Sequence, residues 1–273
     1  MVAPDASIVD LSLGVFADFS PPSPAALQWA IGTLAVEDIV FGAWSSAPNG
    51  RPFRPRGWKL GQLSRAVDTC VAAGVRPHLM IWAKRHIDAL PFALDWLDLA
   101  LAAVPGLSSV LLDCEGHWHK GHGLTADSAA DLVDRRLAGV QWGVTGLTKV
   151  HRTVRPLAER ATYVVPQCYS FWRPGSKHWS HSRETAPQYQ QAVGVDSWSR
   201  VNDRVVMALG CYWAARPAYG SIVAPLTATQ TLRACAAETS ALGVEKAWYW
   251  SLKWLRAKTK AGDEVRDFFG VTL

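Results

Sequence analysis

Ser109-Val110-Leu111-Leu112-Asp113-Cys114-Glu115 is the stretch that decides the architecture. A short run this apolar suits a strand buried on both faces, as strands of a parallel sheet are. It ends in two acids and Gly116. The next helical pattern opens at Thr125-Ala126-Asp127, runs to about Leu137 and stops at Gly139. The same strand-then-helix unit recurs in both directions. Upstream, strands are expected at 7–12 (with a continuation to Phe19), 38–44 and 76–83, followed by helices at 25–34, 60–73 and 90–103. Downstream, strands fit 140–144, 162–170, 204–213 and 246–252. Helices at 150–160, 188–201 and 227–242 lie between them, and a last helix fits 263–269. Gly74 and Gly243 stand, like Gly139, where a helix should end. Eight strands alternating with helices, at about 34 residues per unit, predict an α/β fold: a single (β/α)8 TIM barrel, residues 1–273 forming one catalytic domain. The rival, an open doubly wound sheet, would carry a Gly-rich dinucleotide fingerprint after its first strand, and none stands there.

Composition narrows the function. With 28 basic and 23 acidic residues the chain is mildly basic, at +5, and its charges are scattered. A nucleic-acid partner would ask for a concentrated basic face, so none is expected. No apolar run approaches the ~18 residues of a membrane span, so no membrane partner is expected either. The N-terminal Met1-Val2-Ala3-Pro4-Asp5 lacks the pattern of a secretory signal, which predicts a cytoplasmic protein that reaches any outside target through another agent. The five cysteines, Cys70, Cys114, Cys168, Cys211 and Cys235, form no CxxC pair and sit in apolar stretches, as in a reduced chain. Fourteen tryptophans are far more than a core requires. Flat indoles stack on sugar rings and donate to hydroxyls, so the surplus points to an aromatic-lined groove.

In a barrel the active site lies at the C-terminal ends of the strands. Asp113 and Glu115 are there, two residues apart on one face, about 6.7 Å along the strand. Cys114 faces the helices instead. Two acids on the inner face of an apolar strand repel each other and lose water, so one keeps its proton while the other ionises. Acid catalysis needs that arrangement. Asp10 is a third carboxylate in a buried-looking strand. By the same alternation Gln167 and Tyr169 face inward from strand six. Strand eight turns in either Trp248 and Trp250 or Tyr249 and Ser251, and the tryptophans are the expected pair. Tyr212 and Trp213, His78 and Trp82, and Trp44 complete the candidate substrate-binding set. Aromatics and amides around paired carboxylates describe a sugar site.

Two family resemblances follow from these residues. Ile8-Val9-Asp10-Leu11-Ser12 resembles the Asp-x-Ser opening strand of family 25 glycoside hydrolases, the phage and bacterial lysozymes. Asp113-Cys114-Glu115 resembles their Asp-x-Glu on strand four, and Trp250-Ser251 their aromatic final strand. The same Asp-x-Glu, with Tyr169 on strand six and a Trp on strand eight, is similar to family 18 chitinases and related endoglycosidases. Their full signature has further acids on strand four, where this chain has Ser108 and Leu111. The resemblances imply a glycosidase without cofactor that acts on a polysaccharide as a monomer. Glu115 would be the general acid. Asp113 would orient a 2-acetamido group for substrate-assisted attack, with Gln167 and Tyr169 holding that group. Asp10 would tune Asp113 or place water. The resulting expectation is cleavage of β-1,4 bonds in peptidoglycan, as by an endolysin released through a phage pore or carried on a virion. The alternatives are a chitinase or endo-N-acetylglucosaminidase of family 18 type, and a non-catalytic wall-polysaccharide-binding barrel.

Other chemistries find less support. His117, His119 and His122 follow the acid pair, but Lys120 and Gly121 break the spacing that helical metal ligands would need, so no metal is expected. The chain has no Gly-x-Ser-x-Gly elbow for a nucleophilic serine and no P-loop.

Overall fold

A computed structural model describes residues 11–17, 21–34, 36–45, 58–82, 87–115, 118, 123–168, 187–210, 228–250 and 252. Eight parallel strands close into a barrel in sequence order. They are β1 (Ser12–Ala17), β2 (Asp38–Ser45), β3 (Arg76–Trp82), β4 (Ser109–Asp113), β5 (Trp142–Leu147), β6 (Tyr163–Gln167), β7 (Met207–Gly210) and β8 (Lys246–Trp250). Between them run α1 (Pro24–Thr33), α2 (Leu60–Ala72), α3 (Leu90–Ala103), α4 (Ala126–Arg136), α5 (Arg155–Arg160), α6 (Pro187–Ser199) and α7 (Ala228–Ala241). The expected (β/α)8 barrel is therefore the fold.

Local chemistry explains where elements begin and end. Ser23 Oγ accepts from Ala26 N–H at the start of α1, with Pro24 as its first residue, and Thr125 Oγ1 accepts from Ser128 N–H at the start of α4. Both are side-chain caps on otherwise unpartnered amides. Gly74, Gly139 and Gly243 have φ of 74°, 82° and 73°. Each turns the chain from a helix into the next strand, a conformation that a Cβ disfavours.

Strand bounds shift in places. β1 spans Ser12–Ala17, within the expected continuation to Phe19, β5 spans 142–147 instead of 140–144, and β7 begins at Met207 instead of 204. In β1 the run Leu13-Gly14-Val15-Phe16-Ala17 is apolar on both faces, as suits a strand of a parallel barrel. Ser12 opens the strand, and residues 7–10, Asp10 among them, lie outside the described residues.

The inward side chains form three layers, and strand register sets their height. His78 pairs with Ser109, Met80 with Leu111 and Trp82 with Asp113. The lowest layer, toward the N-terminal ends of the strands, holds Asp38, His78, Ser109 and Tyr163. The middle is apolar: Phe16, Val40, Met80, Leu111, Val165, Ala208 and Trp248. The upper layer carries Trp82, Asp113, Gln167 and Trp250, the last or nearly last inward residues of their strands. Outward residues such as Val110, Leu112, Cys114 and Tyr249 join the larger core beneath the helices.

Candidate active site

Asp113 ends β4 on the inner face and is only 6% exposed. Its partner strand, β5, places Thr145 beside it, but Thr145 Oγ1 donates to Val165 O at 2.7 Å and leaves the carboxylate alone. Gln167, at the end of β6 and 7% exposed, donates from Nε2 to Asp113 Oδ1 at 3.0 Å. Burial, followed by the charge of Glu115, pushes the Asp113 carboxyl well above the usual carboxylate range, and the Gln167 bond opposes them only in part. Apolar Leu111 lies one layer below and supplies neither water nor countercharge. Glu115, two residues on, is half-buried, close enough to Asp113 for the two charges to interact. Cys114 between them is buried in the shell, and its N–H donates to Thr145 O at 2.8 Å, so pairing continues past the strand's end. The arrangement is a buried acid whose carboxyl is pushed up, beside a second, more exposed acid, at the end of the barrel where catalytic groups stand.

Aromatic walls rise at the same end. Trp82, in register with Asp113, ends β3, and Trp250 ends β8 with its ring centroid 5.1 Å from that of Phe16. Both are half-buried, so part of each indole faces solvent.

The structure brings Asp113, Glu115, Gln167, Trp82 and Trp250 to one mouth, and it separates two residues from them. His78 shares a face with Trp82 but sits four residues lower, about 13 Å along the strand. Trp248 belongs to the middle layer, and its Nε1 points downward to Asp38 Oδ2 at 3.2 Å. Neither takes part in the upper site. Alternation assigns a face but not a height, and height decides which mouth a side chain serves. Trp44 lies in β2, and its side chain is outside the described residues. Asp10, Tyr169, Tyr212, Trp213, His117, His119 and His122 also lie outside them. Asp38 was missed by the sequence reading because it opens a strand. The signal that could have found it is an acid at the head of Ile39-Val40-Phe41, across from Arg76 and His78.

No family model matches the chain, and no curated protein sequence is similar to it. Among solved structures the likeness is to glycoside-hydrolase barrels of the chitinase type. The catalytic domain of a hyperthermophilic chitinase from Pyrococcus furiosus superposes with a TM-score of 0.60 over 90% of this chain and 85% of that one, at 12% identity. The catalytic domain of a family GH18 chitinase from the fern Peteris ryukyuensis gives 0.56 over 95% and 99%, at 10% identity. Human YKL-39, a pseudo-chitinase with retained chitooligosaccharide binding, gives 0.55 over 88% and 92%, at 10% identity. At these identities the likeness is one of fold.

Proposed function

We propose that this barrel acts on chitin-type glycans, cleaving β-1,4 bonds next to an N-acetylated sugar. The observation that supports this reading is the buried Asp113 beside Glu115, with its Oδ1 held by Gln167 and its carboxyl pushed up by burial and by the Glu115 charge. A sugar stacked on Trp250 and Trp82 would present its glycosidic oxygen to Glu115, the general acid. Asp113, still protonated, would hydrogen-bond the 2-acetamido group and orient its oxygen toward the anomeric carbon, and Gln167 would keep Asp113 in that rotamer. The preference for a chitin-type chain over peptidoglycan comes from the chitinase likeness.

A second reading is glycan binding without hydrolysis. Leu111 favours it, because strand four has an apolar side chain where the full family 18 signature has a further acid. The pseudo-chitinase likeness is consistent with it. Fluorogenic chitotriosides and a binding titration with chitotetraose separate the two. Hydrolysis by the parent chain that falls at least about a hundredfold in Glu115→Gln, with binding kept, is the expected result. Binding without release of reducing ends selects the second reading, and absence of both refutes the glycan assignment.

A further inference from the structure

The opposite mouth of the barrel holds a cavity of about 580 Å³, whose inner end is lined by His78, Ser109, Tyr163 and Trp248. Asp38, almost fully buried, accepts at Oδ1 from His78 Nε2 at 2.8 Å and from Arg76 Nε at 2.7 Å. Its Oδ2 takes Trp248 Nε1 at 3.2 Å and an Arg76 guanidinium nitrogen at 3.1 Å. On the other side of the imidazole, His78 Nδ1 lies 2.7 Å from Ser109 Oγ, which lies 2.6 Å from Tyr163 Oη. An ionised carboxylate only accepts, so Nε2 carries a proton. In the neutral ring Nδ1 then accepts from the Ser109 hydroxyl, and Tyr163 donates to Ser109 Oγ. Burial favours the anion of neither Ser109 nor Tyr163, and the Tyr163 phenol is pushed well above its ordinary range, so it remains a donor. Two strands lack side chains where this group sits. A Cβ on Gly14 would fall 2.4 Å from the Trp248 ring, and one on Gly143 would fall 2.4 Å from the Tyr163 ring.

Buried polar filler needs only mutual hydrogen bonds. This chain of bonds is also directional: a carboxylate orients an imidazole, and the imidazole's free nitrogen meets a serine that opens on a cavity. We propose that the N-terminal mouth is a second site, independent of the glycan reading, in which Ser109 is the nucleophile of an acyl-transfer reaction on a small uncharged carboxylic ester. The cavity's lining sets Arg204 and Lys246 against Asp203 and Glu245, and its third cation, Arg76, is paired with Asp38 and Glu37, which suits a neutral substrate. Ser109 Oγ bonds to the ester carbonyl carbon as its proton passes to His78 Nδ1, and Tyr163 O–H donates to the carbonyl oxygen as it becomes an oxyanion. The ester C–O bond then breaks, and the leaving alkoxide takes the proton from Nδ1 and departs as an alcohol. Water repeats the cycle, giving its proton to Nδ1 and its oxygen to the acyl carbon. Ser109 regains its proton as the carboxylic acid leaves. The sum is ester plus water to acid plus alcohol. The bonding order mirrors the familiar Ser/His/Asp arrangement with the two ring nitrogens exchanged.

The test treats the full chain with a fluorophosphonate and maps the adduct by peptide mass, alongside hydrolysis of p-nitrophenyl acetate. An adduct on Ser109, with ester turnover lowered at least about a hundredfold in Ser109→Ala and in His78→Gln, is expected. An adduct elsewhere, no adduct, or turnover equal to that of Ser109→Ala overturns the proposal. If Ser109→Ala fails to fold, the adduct map of the parent chain decides by itself: Ser109 labelled sustains the site, and Ser109 unlabelled refutes it.

Discussion

Replacing Asp113 by Asn should make this protein more stable, increasingly so as pH rises. The substitution keeps the side chain's shape and the Oδ1 acceptor that Gln167 reaches at 3.0 Å. It removes a carboxyl that burial and Glu115 hold well above the usual range. In the unfolded chain that carboxyl ionises near pH 4, as an ordinary aspartate does (about 3.9). In the folded chain it keeps its proton to higher pH. Between those two points the folded state binds more protons than the unfolded one, so the parent loses stability as pH climbs. Each unit of pKa elevation corresponds to about 1.4 kcal/mol. The Asn variant should therefore gain on its parent by up to about 1.4 kcal/mol per pH unit through that window. The gain levels off once Asp113 ionises in the folded state. Below about pH 4 only a constant offset remains. Urea unfolding followed by tryptophan fluorescence from pH 4 to 8, with the variant-minus-parent difference plotted against pH, measures this. A flat difference, or one that turns toward the parent as pH rises, would refute the claim that the fold holds Asp113 in its protonated form. A gain would also show that stability has been given up at the place where chemistry is proposed.

Three further outcomes are expected. Gln167→Leu removes a hydrogen bond that favours the ionised Asp113. Such bonds are worth roughly 1.5–3 kcal/mol, so Asp113 should titrate about one to two pH units higher, read from its infrared carboxyl band with Asp113→Asn as the blank. A titration that stays in place or falls shows that the bond does not act on the charge. Gly143→Ala drives a Cβ into the Tyr163 ring and should lower stability by about 1–3 kcal/mol by calorimetry, with Tyr163→Leu in the same chain recovering part of it; no loss would mean the ring simply moves. Asp38 is the reverse of Asp113. Burial raises its carboxyl, but the hydrogen bonds of His78 and Arg76 and the guanidinium charge outweigh burial and hold it well below the usual range, so its contribution is present above about pH 4 and is lost as pH falls further. Because Arg76 is 43% exposed and partly screened, Asp38→Asn should cost ~3 kcal/mol at neutral pH and progressively less as pH falls below about 4. An equal cost at pH 3 and pH 7 argues against that ionised network.

The fold was legible because its two rules are local. Apolar runs buried on both faces read as parallel strands, and Gly74, Gly139 and Gly243 mark the helix ends. What sequence alone misjudged was position along an element. The 7–12 stretch alternates well, but the strand opens only at Ser12 and runs through 12–17, where both faces are apolar. The candidate site divides in the same way. Asp113 and Gln167 converge because each is the last inward residue of its strand, and strand ends were readable. His78 and Trp248 are inward too, but the depth that sends them to Asp38 is set by stagger between strands, which no single strand encodes. Asp38 itself gave no periodic signal, since a strand's first residue belongs as much to the preceding turn.

The closure of β8 onto β1, through five paired positions from Ser12–Lys246 to Phe16–Trp250, has a consequence for how copies of this protein can meet. Every strand already has a neighbour on each side. Among the described residues the folded sheet therefore offers no unpaired ladder of amides and carbonyls for a second chain to extend, and strand addition to this sheet requires first opening the ring. The large apolar side chains that the described fold leaves exposed include Phe92 and Leu99, one heptad apart on α3 and 47% and 62% exposed, so a contact between native copies would draw on helix faces and not on strand edges.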